Sequence, residues 1–203
     1  MQKVNYQHEL DKTLDKICLN KLRPKLLIHA CCAPCSSYVL EYLHEYFDIT
    51  LFYYNPNIYP KDEFEKRTVE LNRLVPQMLP SKNIHIIEGV YEPEVFFSAV
   101  KGLELEPERG KRCEICFRLR LEKSALTAKE LGMDFFTTTL SISPMKDAEL
   151  LNMIGGELGD KYGVKYLFSD FKKRGGYKRS IELSRKYSLY RQNYCGCIFS
   201  KKK

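Results

Sequence analysis

The stretch KLLIHACCAPCSSYVLEYLHEYFDITLFYYN, residues 25–55, decides the fold class. Residues 25–30 are a short apolar run, and Cys31, Cys32 and Cys35 follow at once. The next segment, SSYVLEYLHEYF, carries its apolar residues at helical spacing, and residues 48–55 are a second run rich in aromatic and β-branched side chains. The order is strand, cysteine loop, helix, strand. Outward from it the pattern repeats: a helix over 61–78 as far as Pro76, a strand over 83–89, a helical stretch over 91–102 and a polar loop over 103–111. A long amphipathic helix over 113–132 ends at Gly132, a strand over 133–140 leaves through SISPMK, and a helix spans 147–163 despite paired glycines. A strand over 165–169 and a last helix over 177–190 complete the series. Strands alternating with helices at this spacing predict an α/β fold with a doubly wound, mostly parallel sheet.

Ligands of such sheets bind beyond the carboxyl ends of the strands. The pattern puts four polar loops there: 31–35, 55–59, 137–144 and 170–176. With 203 residues, about one domain is expected. Residues 1–24 read as an added N-terminal helical extension, and 25–203 as a single α/β catalytic domain with a basic, cysteine-containing C-terminal segment.

Hydrophobic residues make up 44% and charged residues 29% of the chain, which excludes wholesale disorder. No apolar stretch approaches the roughly 18–20 residues a membrane span needs. The first residues are charged throughout without an apolar core segment, so no secretory signal is read and a cytoplasmic location is expected. The net charge of +7 is unevenly placed. Residues 161–203 hold 13 Lys and Arg against only Asp170 and Glu182, a local balance of +11. A polyanion such as RNA suits that end; a solvated helix with a Lys201–Lys203 tail is the plainer explanation.

Eight cysteines in a cytosolic chain call for something other than structural disulfides. Cys18 stands alone in a helical segment and reads as a packing residue. The others form three groups: Cys31, Cys32 and Cys35; Cys113 and Cys116; Cys195 and Cys197. Such grouping points to metal or redox chemistry. A structural zinc knot and an iron–sulfur cluster both use four thiolates. Adjacent Cys31 and Cys32 are awkward for a zinc knuckle, and seven clustered cysteines exceed one structural site, which favours iron–sulfur. Across Gly196, Cys195 and Cys197 would close a small, strained and therefore reducible disulfide ring; two more metal ligands is the other reading.

The blocks HACCAPCS (29–36), FYYNPNIYP (52–60) with Glu65 and Arg67 following, KRCEICFRLRL (111–121), TTTLSISPMK (137–146), DFKKRGGYKRSIELS (170–184) and LYRQNYCGCIFS (189–200) together resemble the cobalamin-independent epoxyqueuosine reductase family, QueH. The resemblance covers roughly residues 25–200, with all six blocks in the family's order. It implies reduction of epoxyqueuosine to queuosine at the wobble position of tRNA, the last step of queuosine formation, on a fold of the adenine-nucleotide α-hydrolase group. It also implies that Cys31, Cys32, Cys113 and Cys116 hold a [4Fe-4S] cluster. In that pattern Cys195 and Cys197 match the positions of a redox-active disulfide, with a metal-ligand role still open, and Cys35, where some members carry an acid, is the candidate ligand of an additional iron ion.

Removal of the epoxide oxygen consumes two electrons and two protons. Asp170, Tyr177 and His29 are the proton-donor candidates by loop position; a turn cap, a packing residue and a core residue are their plainer readings. Phosphates need cations, and Lys172, Lys173, Arg174, Lys178 and Arg179 surround Gly175 and Gly176. Arg191 in the last block and Asn55 in the second loop join this RNA-binding set. Tyr53, Tyr54, Tyr59 and Tyr190 are available to stack on a splayed-out base, although of the adjacent Tyr53 and Tyr54 at most one faces the site.

Two competitors are an ATP-using tRNA-modifying enzyme of the same fold and an RNA-binding protein with structural zinc. The first expects a glycine-rich SGGxDS loop after the first strand. Residues 30–36 here have no glycine and no acid, and Pro34 removes a phosphate-cradling N–H. No nicotinamide or flavin fingerprint is present, so an external electron donor protein is expected.

Overall fold

The computed structural model describes residues 4–201, so Lys202 and Lys203 of the predicted lysine tail lie outside the described residues, as do residues 1–3. Helix α1 (Tyr6–Leu19) comes first, then strand β1 (Lys25–His29), α2 (Ala33–Leu43), β2 (Asp48–Tyr53), α3 (Lys61–Met78), β3 (His85–Glu88) and α4 (Pro93–Ala99). Next come α5 (Lys111–Glu130), β4 (Phe135–Thr138), α6 (Ala148–Tyr162), β5 (Lys165–Tyr166) and α7 (Gly176–Lys186), with short 3-10 turns at Thr139–Ile142 and Ile198–Ser200.

All five strands are parallel, in the order β3-β2-β1-β4-β5. This is the expected α/β, doubly wound sheet. The chain winds outward from β1 through β2 to β3, then returns to the other side of β1 for β4 and β5. The switch point therefore lies between the carboxyl ends of β1 and β4, where doubly wound sheets bind ligands.

Central β1 is buried on both faces, which is why it reads as an unbroken apolar run. Its side chains alternate. Leu26 and Ile28 join Ile49, Leu51 and Tyr53 in a cluster with α1, α2 and α3, whereas Leu27 joins Phe52, Tyr54 and Phe136 beneath α5 and α6. Both Tyr53 and Tyr54 are consumed by this alternation: one enters each core face, and neither is free to stack on a base. The paired glycines of α6 allow close packing, since a Cβ on Gly155 would lie 2.4 Å from the Tyr166 ring of β5.

Local chemistry moves several expected boundaries. Helix α3 runs through Pro76 to Met78, because a proline in the last turn removes a single ladder bond and the Leu79 N–H still reaches Val75 O at 3.0 Å. Strand β5 holds two residues where 165–169 was expected. Beyond it, the Asn152 amide takes over from the ladder, accepting from Ser169 N at 2.9 Å and donating to Ser169 O at 2.8 Å. Cys18 is exposed, contrary to its reading as a packing residue. The inward face of α1 is Leu10, Leu14 and Ile17, and Cys18 falls just outside that stripe. No helix among the described residues is long and apolar enough to cross a membrane.

Leu10, Leu14 and Ile17 pack in the same cluster as β1 and α2. Leu10→Ala is expected to lower unfolding free energy by about 2–5 kcal/mol, whereas Cys18→Ser stays within about 0.5 kcal/mol of the parent. Urea denaturation midpoints of the two variants check this.

Candidate active site and metal centre

At the end of β1 the Ala30 N–H makes one last bond to Phe52 O (2.9 Å), and the chain then leaves the sheet. Cys31 sits at the switch point. Its N–H donates to Thr139 Oγ1 at 3.3 Å, and the Thr139 hydroxyl reaches back to Cys31 Sγ at 3.4 Å, so the exits of β1 and β4 are tied together. Cys32 is the N-cap of α2, and Cys35 lies in its first turn. The sulfurs of Cys31, Cys32 and Cys35 lie within 4.8 Å of one another, a group able to hold a metal ion. Unsatisfied amides and the positive end of α2 favour negative charge there. Thiol hydrogen bonds from Cys32 and Cys35, and that from Thr139, hold the Cys31 thiol well below its usual range against the opposing effect of burial. The same sharing raises Cys32 and Cys35.

The second cysteine group also opens a helix. Gly110 is the N-cap of α5, Cys113 falls in the first turn, and Cys116 and Arg120 follow on the same face at helical spacing. Arg109 adopts a left-handed backbone (φ 78°) that aims its N–H at Cys113 Sγ, 3.3 Å away, and its guanidinium donates to Met145 O and Pro144 O. Arg112, buried, fastens the preceding loop through the carbonyls of Leu103 (3.1 Å), Glu104 (2.9 Å) and Glu106 (2.6 Å). Burial raises the Cys116 thiol, which packs with Phe96, Val100 and Cys197.

That contact brings in the third group. Gly196 has φ 98°, open only to glycine without strain, and a Cβ there would lie 2.7 Å from Ile58 Cγ1. Its carbonyl accepts from Tyr59 N (3.0 Å), and buried Arg67 donates to Cys195 O (3.3 Å) and Tyr194 O (3.4 Å). Arg67 is itself held by Glu63 at 2.7 Å. Cys195 and Cys197 are free thiols. A hydrogen bond from Cys197, reinforced by Lys146 and by Ser200 at 3.0 Å, keeps Cys195 well below the usual thiol range, and the same bond raises Cys197.

A cavity of about 630 Å³ opens over these elements, bordered by Cys31, Cys35, Cys195, Arg67, Arg120 and Lys146 among others. Lys146 pairs with Glu108 at 2.9 Å. Arg120 is 3% exposed and finds only neutral acceptors among the described residues, Asn55 Oδ1 and Cys116 O, each at 3.3 Å. A buried cation without a carboxylate is costly unless an anion joins it. Thiolate donors from two helix starts, with an uncompensated arginine beside them, fit an anionic metal–thiolate group.

The structure distributes the remaining candidates unevenly. Tyr177 and Arg191 border the cysteine cavity. Asn55 does not face it: its buried amide donates to Ala30 O (2.9 Å) and accepts from Arg120, fixing the cysteine loop from behind. Tyr59 does not border the cavity either: it is exposed and packs edge-on against Phe97. Asp170 lies instead in an adjoining cleft with Lys172, Lys173 and Arg174, and is paired to Lys172 at 2.7 Å; only Lys146 among the charged residues borders both spaces, with Arg109 confined to the cleft. Arg174 pairs with Asp11, and Arg179 with Glu41 and Glu182, while Lys178 is exposed on α7. Tyr190 donates to Glu63 and lies under Lys66. His29 is a core residue: its nitrogens meet Thr138 Oγ1 (2.9 Å) and Tyr54 O (3.0 Å), and burial with nearby Arg120 pushes it down to about 4.

Sequence reasoning passed over Arg120, Arg112, Lys146 and Glu108. Arg120 was within reach, because it follows Cys116 by four residues on one helix face.

A parallel sheet whose switch point carries Cys31, Cys32 and Cys35, in a cavity shared with Cys195 and buried cations, defines a doubly wound α/β protein with a cysteine-rich candidate site. The fold is shared with the NMN synthetase from Francisella tularensis, at a TM-score of 0.51 and 12% identity over 95% of this chain and 75% of that one. Residues 26–203 match the family model described as Epoxyqueuosine reductase QueH, and the chain belongs to that family. Proteins named epoxyqueuosine reductase QueH from Streptococcus pyogenes (42% identity, 99% of this chain and 80% of that one) and Staphylococcus epidermidis (44%, 98% and 85%) are similar nearly throughout. The Thermotoga maritima protein of that name is 38% identical over 86% of this chain and 89% of its own length.

Gly196→Ala is expected to strain the Cys195 segment by about 1–3 kcal/mol, opening it roughly tenfold more often. Iodoacetamide labelling of Cys195, read by mass spectrometry against exposed Cys18 as internal standard, checks this.

Proposed function

We propose that this protein reduces epoxyqueuosine to queuosine at the wobble position of tRNA, with a [4Fe-4S] cluster held by Cys31, Cys32, Cys113 and Cys116. The observation that carries the proposal is the Cys31, Cys32 and Cys35 group at the switch point, which shares a cavity with Cys195 and with an arginine that lacks a carboxylate, while Cys195 and Cys197 pack with Cys116. The 4.8 Å grouping of Cys35 with Cys31 and Cys32 supports its role toward an additional iron. When bound, the cluster would supply electrons singly, and an additional iron held with Cys35 would supply a Lewis acid.

The overall step balances as epoxide plus two electrons and two protons giving alkene plus water. Closing a disulfide from the Cys195 thiolate and the Cys197 thiol would deliver two electrons and one proton, the second proton coming from a group on the cavity wall, and an external electron donor protein reopens the disulfide. Arg67 holds the backbone of Cys195 so that this thiol stays on the cavity wall. Protons for the departing oxygen belong with groups bordering the cavity, Tyr177 and Lys146, rather than with Asp170 in the adjoining cleft. Against the opposing effect of burial, Cys195 and then Glu108 hold Lys146 above its ordinary range, and that ammonium in turn offsets negative charge on Cys195. Lys172, Lys173, Arg174, Lys178 and Arg191 meet tRNA phosphates, while Asn55 and Tyr59 act from behind the site by fixing its loops. A reduced cytoplasm suits the free thiols.

Anaerobic protein with dithionite in place of the donor should convert epoxyqueuosine-containing tRNA to queuosine, read by mass spectrometry of the nucleosides. Cys195→Ser should retain its iron and lose roughly 100-fold or more in turnover. Iron-replete wild type that yields no queuosine contradicts the reading, and loss of iron from Cys195→Ser makes that residue a ligand instead.

A further inference from the structure

Five consecutive residues, Arg191 to Cys195, border the cysteine cavity in a stretch without regular secondary structure. The stretch is nevertheless pinned. Arg191 donates to Ser184 Oγ (3.0 Å), the Tyr194 hydroxyl to Tyr59 O (3.0 Å), and Arg67 holds the carbonyls of Tyr194 and Cys195. Within it the Gln192 amide is uncommitted: its Oε1 is buried and has no hydrogen-bond partner among the described residues. Buried polar atoms without partners are rare, and each is costly until a ligand or water satisfies it. Turning the amide over exchanges oxygen for nitrogen and leaves the same place unsatisfied.

The substrate proposed above offers the matching chemistry. Its base is a 7-deazaguanine whose pairing edge presents N1–H and an exocyclic amine, while the epoxide ring hangs from the opposite side of the base. Single-stranded RNA bases turned out of their stack are read on that pairing edge. Resting on the reductase reading, we propose that Gln192 is a specificity-determining residue: its Oε1 accepts from the N1–H and exocyclic amine of the wobble base. Cys195, three residues on, lies on the same pinned segment, so base recognition and the redox thiols share one backbone.

Inosine lacks the exocyclic amine and is otherwise a guanosine, which isolates the contact. Fluorescence anisotropy would compare anticodon stem–loop RNAs carrying guanosine or inosine at the wobble position. Wild type is expected to prefer guanosine by up to roughly tenfold, the effect of losing one of the two hydrogen bonds to Oε1. Gln192→Ala should bind both RNAs equally, and Gln192→Glu, which keeps an acceptor in place, should retain the preference. Iron content measured for each variant reports an intact site. Equal binding of the two RNAs by wild type, or an undiminished preference in Gln192→Ala, overturns the proposal. Turnover of epoxyqueuosine-containing tRNA by wild type is scored separately: its failure with the guanosine preference intact sinks the reductase reading and leaves Gln192 as the base reader.

Discussion

Thiolates can be gathered in one buried place only if positive charge is buried with them. Here that charge comes from two sources. The starts of α2 and α5 set their positive ends beside Cys32, Cys35 and Cys113, and Arg67, Arg120 and Lys146 supply full cations. Two of these have carboxylates, Glu63 and Glu108, and Arg120 has none. The surplus is what a buried anion requires, since desolvated charge is tolerated only when compensated. Much of the surrounding structure serves that balance: Asn55 fixes Arg120 against the cysteine loop, and Arg112 fastens the loop that leads into Cys113.

The sheet explains why these parts meet. Reversal of strand order between β1 and β4 leaves a crevice into which both loops open, and Thr139 bridges it to Cys31. The C-terminal segment then crosses from α7 and is fastened to α3 through Arg67 and to the 58–59 turn through Gly196. A wall that would otherwise be a loose tail thus becomes a fixed element carrying both the unpartnered Gln192 amide and the Cys195 and Cys197 thiols. Rigid support of this kind is what a redox group needs if its distance to the substrate is to stay constant.

The fold was legible because β1 is flanked on both faces and each helix has a clear apolar stripe. Cysteine grouping likewise exposed the site, since thiols at N-caps and first helical turns keep short spacings in sequence. What escaped were contacts between distant segments. Nothing local shows that Asp170 belongs to a neighbouring cleft, that both of the faces taken by Tyr53 and Tyr54 are core, or that Arg179 is spent on Glu41. Cys18 misled for a related reason: a helical stripe fixed at Leu10, Leu14 and Ile17 leaves the next residue outside, and the phase of that stripe is set by packing against α2 and the sheet.

The central claim is that the gathered thiols hold a redox-active iron–sulfur group. Iron, zinc and acid-labile sulfide in anaerobically purified protein, with a Mössbauer spectrum, test it most directly. The account predicts about four irons and four sulfides per chain, as one cubane cluster requires, with any surplus, spectroscopically distinct iron assigned to Cys35. One zinc and no sulfide in protein expressed with its assembly machinery intact would contradict it.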